Sequence, residues 1–112
     1  MNKEIAKEYF SHFSNKNIDG IESVLSKDCV LIDWDVEIIS SSLILENNHK
    51  FFKEISFLLV EIKSMHEIGN RVFCDILIKI DNISLEVIDI LTFDEKNLIK
   101  KIHAYRSREI LD

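Results

Sequence analysis

The chain has 112 residues, 46% of them hydrophobic, and a formal net charge of −6. That length supports one domain over 1–112 with a real core and leaves no room for a second. The acidic balance without any Lys/Arg run excludes a phosphate-backbone partner, so no nucleic acid is expected; no apolar stretch is long enough to cross a bilayer, so no membrane is expected either.

The N-terminal stretch MNKEIAKEYF is charged and helix-patterned without the apolar core of a leader, which makes a cytoplasmic location the expectation. In residues 3–15, Ile5, Ala6, Tyr9, Phe10 and Phe13 form one broad apolar stripe at helical spacing. Asn17 is a candidate N-cap for a shorter helix over 18–25, with Ile21, Val24 and Leu25 turned inward before a Ser-Lys-Asp turn. The period then changes to two. Residues 29–35, CVLIDWD, read as a strand with Cys29, Leu31, Asp33 and Asp35 on one side and Val30, Ile32 and Trp34 on the other. Residues 36–46 contain strand formers without a clear period and read as a short strand plus an irregular connection. Asn47-Asn48 is then expected to cap a third helix over 49–59, with Phe51, Phe52, Ile55, Leu58 and Leu59 on its apolar side.

From there the pattern is strand throughout. Residues 60–68, 71–80, 83–93 and 98–106 are separated by Gly69-Asn70, Asp81-Asn82 and residues 94–97, the short turns that join antiparallel neighbours. The expected architecture is α+β, with three helices from the N-terminal half packed on one face of a curved antiparallel sheet. In 83–93, one face carries Ile83, Leu85, Val87, Leu91 and Phe93 and a single exception, Asp89. The other face holds Ile88 and Ile90. Together with Val72, Ile76 and Ile78, if those face outward, it is too apolar for a small sheet to leave wet, and a homodimer through the sheet is expected.

Asp89 must find donors, keep its proton or lie near a water-accessible pocket, because an unpaired buried charge is too costly. It could equally be a structural carboxylate bonded to a turn. Tyr9 sits in an apolar stripe, where a tyrosine is commonly a core residue with its hydroxyl reaching a partner. Asp33 could be a strand-end carboxylate in an acidic run that places Asp33, Asp35 and Glu37 on one side. That run lacks the glycine and the remaining ligands of a calcium loop, and His12, His49 and His103 show no ligand spacing to one another or to a cysteine, so no metal is expected. His66 falls on the face of Val60, Ile62, Ser64 and Ile68 and is a pocket candidate. No serine stands in an elbow motif, and Gly20 and Gly69 are the only glycines, too few for a phosphate cradle; no cofactor is expected. Cys29 and Cys74, far apart and outside any C-x-x-C motif, read as two reduced, buried thiols.

The segment EYFSHFSNKNIDGIESVLSKDCVLID, then FFKEI, IDILTF and LIKKIHAYR, resembles the nuclear-transport-factor-two-like superfamily, especially its SnoaL-like and ketosteroid-isomerase-like branches, over nearly the whole chain. The resemblance implies a cystatin-like cone enclosing a pocket. In ketosteroid isomerases an Asp is the base, and a Tyr with a protonated Asp forms the oxyanion hole. Matching the IDGI segment and the turn after Phe93 puts Asp33, Tyr9 and Asp89 at those positions. The implied pocket wall comprises Phe13, Leu25, Leu31, Trp34, Phe52, Ile55, His66, Val87, Leu91, Ile102 and Ala104. The implied activity is cofactor-free proton transfer next to a carbonyl in a small apolar ligand, of isomerase, cyclase or dehydratase type. A non-catalytic ligand-binding or association module of the same fold is the alternative. Two departures bear on the pocket mouth: Trp34 follows Asp33 where proline is usual, and the 36–46 connection is unusual.

Overall fold

A computed structural model describes residues 1–111. Helix α1 (Asn2–Ser14) buries Ala6, Tyr9 and Phe10 along one stripe. It ends where Lys16 turns into the left-handed region (φ 55°), and the Asn17 N–H donates back to the His12 carbonyl. Asn17 caps α2 (Ile18–Val24) as expected, its side chain accepting from the Gly20 N–H at 3.0 Å. A Cβ at Gly20 would overlap the His12 ring, so the α1 side chain packs directly against the α2 backbone there.

The expected Ser-Lys-Asp turn does not form. Strand β1 (Leu25–Ile32) begins directly after α2, since Leu25 is already extended and pairs with Ile99. β1 ends at Ile32, three residues before the expected 35. The chain reverses there into β2 (Glu37–Ile39), which pairs antiparallel with it. Ser40, at φ 97°, then caps α3 (Ser41–Glu54), its Oγ accepting from the Leu43 N–H. The expected start at 49 is corrected: Asn47 and Asn48 lie inside the helix, because Ser40 supplies the cap earlier. α3 also stops short of 59, since Ile55 is extended and Leu58 opens β3 (Leu58–Ile68). Lys16 Nζ donates to the Ile55 carbonyl, and the Ser14 Oγ accepts from the Val60 N–H, tying the end of α1 to this junction.

Strands β3, β4 (Arg71–Ile80), β5 (Ile83–Phe93) and β6 (Ile99–Leu111) form the meander, and the sheet order is β2-β1-β6-β5-β4-β3. The sheet is curved, unclosed and mixed rather than wholly antiparallel, because β1 runs parallel to β6. Such a pairing needs a long crossover, which the rest of the chain provides. No helix among the described residues is long and apolar enough to cross a membrane.

The core lies between the helices and the concave face of the sheet. Val72, Cys74 and Ile76 of β4, Leu85, Val87, Leu91 and Phe93 of β5, and Ile99 and Ile102 of β6 pack there with Ala6, Phe10, Ile21, Ile44 and Phe52. Val72, Ile76 and Ile78 therefore face the helices and add nothing to the outer surface. That convex surface carries Phe73, Leu77, Ile88, Ile90 and Tyr105, among ion pairs such as Lys79–Glu61 (2.7 Å) and Arg108–Glu86 (2.6 Å). Cys29 and Cys74 are free and buried.

Candidate active site

The two tyrosine and aspartate positions on the cavity floor follow from periodicity. Tyr9 sits on the buried stripe of α1 one turn before Phe13, and Asp89 is the central polar residue of the inward face of β5, opposite Cys74 of β4 and Ala104 of β6. Asp33 comes immediately after β1. Its Oδ1 accepts from the Asp35 N–H (2.8 Å) and the Val36 N–H (2.9 Å), and its own N–H donates to the Val36 carbonyl. Asp33 therefore stands at the strand end and closes the β1–β2 turn, while one carboxylate oxygen remains outside these bonds. The same turn separates Asp33 from Glu37, so the acidic run does not form one strand face. Among the described residues no group of three or more His, Cys, Asp or Glu side chains is placed to hold a metal ion.

All three side chains line a single cavity of about 480 Å³. Its apolar wall is Phe13, Leu31, Ile78, Ile80, Leu85, Val87, Ile102, Ala104 and Phe51, and its mouth is formed by Trp34, Asp35, Val36, Asn47, Lys50 and Glu54. Arg106 stacks over the Trp34 ring at 5.2 Å, holding the position where proline is usual. Phe13 links the Tyr9 ring to Phe51 and Phe52 in a continuous aromatic contact along α1 and α3.

Several expected wall residues lie elsewhere. Leu25 is core at the start of β1, Phe52 is core while its neighbour Phe51 reaches the cavity, and Leu91 is fully buried between Val72 and Ile102. Ile55 is the extended C-cap of α3 and does not line the cavity. His66 is corrected outright. A bulge at Lys63 shifts the β3–β4 register, so the apolar face passes from Ile62 to Met65, and His66 is exposed beside Phe73 on the convex side. The wall residue with most chemical content that the sequence reading missed is Asn48, 4% exposed. Its signal is legible once α3 is started at Ser41: Ile44, Asn48 and Phe52 form the buried i, i+4, i+8 stripe, with one polar member.

The electrostatics favour neutral donors on the floor. Burial, reinforced by the charge of Asp33, pushes the Asp89 carboxyl up to about 7. The Tyr9 hydroxyl is raised well above its ordinary value, first by burial, then by the charges of Asp89, Cys29 and Cys74. Burial pushes both thiols up to about 12, with Asp89 adding at Cys74, so neither is a ready nucleophile.

No family model and no curated protein matches the sequence. Solved structures do match. An NTF2-like protein of unknown function from Cytophaga hutchinsonii superposes with a TM-score of 0.84 at 13% identity, over 96% of this chain and 90% of that one. The chain has the NTF2-like fold. Among other proteins with this fold, one from Shewanella denitrificans described as a candidate SnoaL-like polyketide cyclase matches at TM-score 0.83 and 15% identity, over 95% of this chain and 90% of its own. A protein with a ketosteroid isomerase-like fold from Catenulispora acidiphila, in complex with trimethylamine, matches at TM-score 0.82 and 14% identity, over 93% and 85%. In this fold the concave sheet supplies the cavity floor, and α1, α3 and the β1–β2 turn supply its walls and mouth.

Proposed function

We propose that this protein binds a small neutral carbonyl compound in the cavity and moves a proton on the carbon next to the carbonyl, without a cofactor. The observation that carries the reading is the convergence of Tyr9, Asp33 and Asp89 on one cavity. Asp33 takes the proton as general base; the Tyr9 hydroxyl and the protonated Asp89 carboxyl donate hydrogen bonds to the enolate oxygen; Asp33 then returns the proton at the same or a conjugated carbon. Such donors act strongly when they are buried and already in place, and Tyr9 (4% exposed) and Asp89 (7%) are both buried. At the mouth Asp33, Asp35 and Glu54 outnumber Lys50 and the Arg106 guanidinium over Trp34, which disfavours an anionic ligand. The likeness to ketosteroid isomerase-like and SnoaL-like structures supports this class of chemistry by analogy of fold.

The test pairs binding with turnover. The wild type is expected to bind 2-naphthol, whose phenolate oxygen mimics an enolate, and to convert a β,γ-unsaturated ketone to its conjugated isomer, followed by ultraviolet absorbance. If it does neither, the acid–base reading is wrong.

A non-catalytic association module is the second reading, favoured by the engagement of Asp33 in the β1–β2 turn. Either reading includes a homodimer through the convex face, where Ile88 (38% exposed) and Tyr105 (51%) stand beside Phe73 and Ile90. Light scattering is expected to give twice the chain mass at micromolar concentration; a monomeric mass would remove the dimer. Two free, buried cysteines suit the reducing cytoplasm.

A further inference from the structure

Asn48 is the one polar residue on the buried stripe of α3, between Ile44 (0% exposed) and Phe52 (7%), and it is itself 4% exposed. Its Nδ2 has no hydrogen-bond partner among the described residues, and the residue lines the cavity from the α3 side. A buried amide left unpaired costs stability that an aliphatic side chain of similar volume at that place would not. Rotating the carboxamide by a half turn exchanges its oxygen and its NH₂ with no change in volume, so either can be presented to a ligand. As placed, the Nδ2 is itself shut off from solvent, so its unmade bond opens to a cavity ligand only after that half turn of the carboxamide.

We propose that Asn48 is a second polar anchor of the cavity, so that its ligand is a neutral compound carrying two separated oxygens, one held at Tyr9 and Asp89 and the other, a hydroxyl or carbonyl, at Asn48. This rests on the reading of Tyr9 and Asp89 as the anchor of the first oxygen. The cavity, about 480 Å³, is within the range that takes up a whole small organic ligand, so both ends can be engaged at once. The acidic mouth again argues that neither oxygen belongs to a carboxylate or phosphate.

The experiment compares 2-naphthol with the 1,5-, 2,6- and 2,7-dihydroxynaphthalenes by isothermal titration, on the wild type and on Asn48→Leu. At least one isomer is expected to bind the wild type about tenfold more tightly than 2-naphthol, beyond the twofold that two equivalent hydroxyls supply, as one added hydrogen bond would. In Asn48→Leu that advantage is expected to vanish, while the melting temperature of the unliganded protein is unchanged or higher, because no existing bond is lost. Asn48→Met, which also fills the space without a donor, should repeat the result if the leucine variant does not fold. The proposal is overturned if no isomer gains over 2-naphthol, if the gain survives in the variants, or if both variants melt well below the wild type, which marks a structural amide. Failure of 2-naphthol itself to bind the wild type has a different meaning: the Tyr9–Asp89 anchor is then wrong, and the second anchor falls with it.

Discussion

Asp33→Asn is expected to lower the rate of proton transfer to a β,γ-unsaturated ketone by about 10²–10⁴-fold, the usual contribution of a positioned general base. Binding of 2-naphthol should survive. The substitution keeps the volume, and an asparagine Oδ1 can still accept from the Asp35 and Val36 N–H groups, so the β1–β2 turn at the cavity mouth is retained. Only basicity is removed. Tyr9→Phe and Asp89→Leu should differ in kind. Each deletes a donor to the developing oxyanion, with a loss on the order of 10²–10³-fold in turnover and weakened 2-naphthol binding. The wild-type kcat/KM should also fall as pH rises through about 7, where Asp89 gives up the proton that makes it a donor. If Asp33→Asn retains full turnover, or if it loses naphthol binding along with activity, the base has been assigned to the wrong residue.

Asp89→Asn is expected to stabilise the protein above neutral pH. The folded state holds the Asp89 proton up to about 7, whereas the unfolded chain releases it near the ordinary carboxylate value of 3.8. Between those values the folded state binds more protons than the unfolded one, so stability falls as pH rises and the loss is complete above about 7. A rise from 3.8 to about 7 corresponds to a penalty of up to roughly 4 kcal/mol, which asparagine, always neutral, does not incur. Urea denaturation from pH 4.5 to 8.5 should show the gap between variant and wild type widening with pH and then levelling off. A gap that stays constant across this range would mean that the Asp89 carboxyl is well solvated or well donated when folded, and its oxyanion-hole role would go with it. Carboxyl-carbon NMR of Asp89 gives the same answer directly, since a midpoint near ~4 belongs to an unperturbed carboxylate.

Asp89 was legible because nothing interrupts the alternation around it. β4 and β5 pair in unbroken register from Arg71↔Thr92 to Ile80↔Ile83, so counting by twos along 83–93 assigns every side chain to its true face. The same counting failed one strand away. The bulge at Lys63 has no glycine or other local mark, and it inverts every later side chain of β3, which is why His66 reads as inward and stands outside. Tyr9 and Phe13 were legible for the helical version of the reason for Asp89: α1 keeps one uninterrupted stripe. α3 was harder. Its cap is Ser40, the first of three consecutive serines that read as a connection, and the strand formers of residues 36–39 lead straight into it, so the sequence pattern places the helix start too late and Asn48 reads as a cap instead of a wall residue.

The sequence by itself determined the three helices and the strand meander, the strand turns, the inward faces of α1 and β5, and the polar residues that interrupt them, but not which face of β4 turns to the helices. These are set by local chemistry: side-chain period, capping groups, and backbone angles at Asn17, Gly69 and Asp81. Only the tertiary structure decided that β1 lies parallel to β6, that Asp33 both closes a turn and reaches the cavity, and that α3 completes the wall with Asn48 and Phe51. Those outcomes depend on contacts between residues distant in sequence. Their energies come from burying surfaces against one another and from which buried polar groups find partners, and neither quantity exists until the chain has closed on itself.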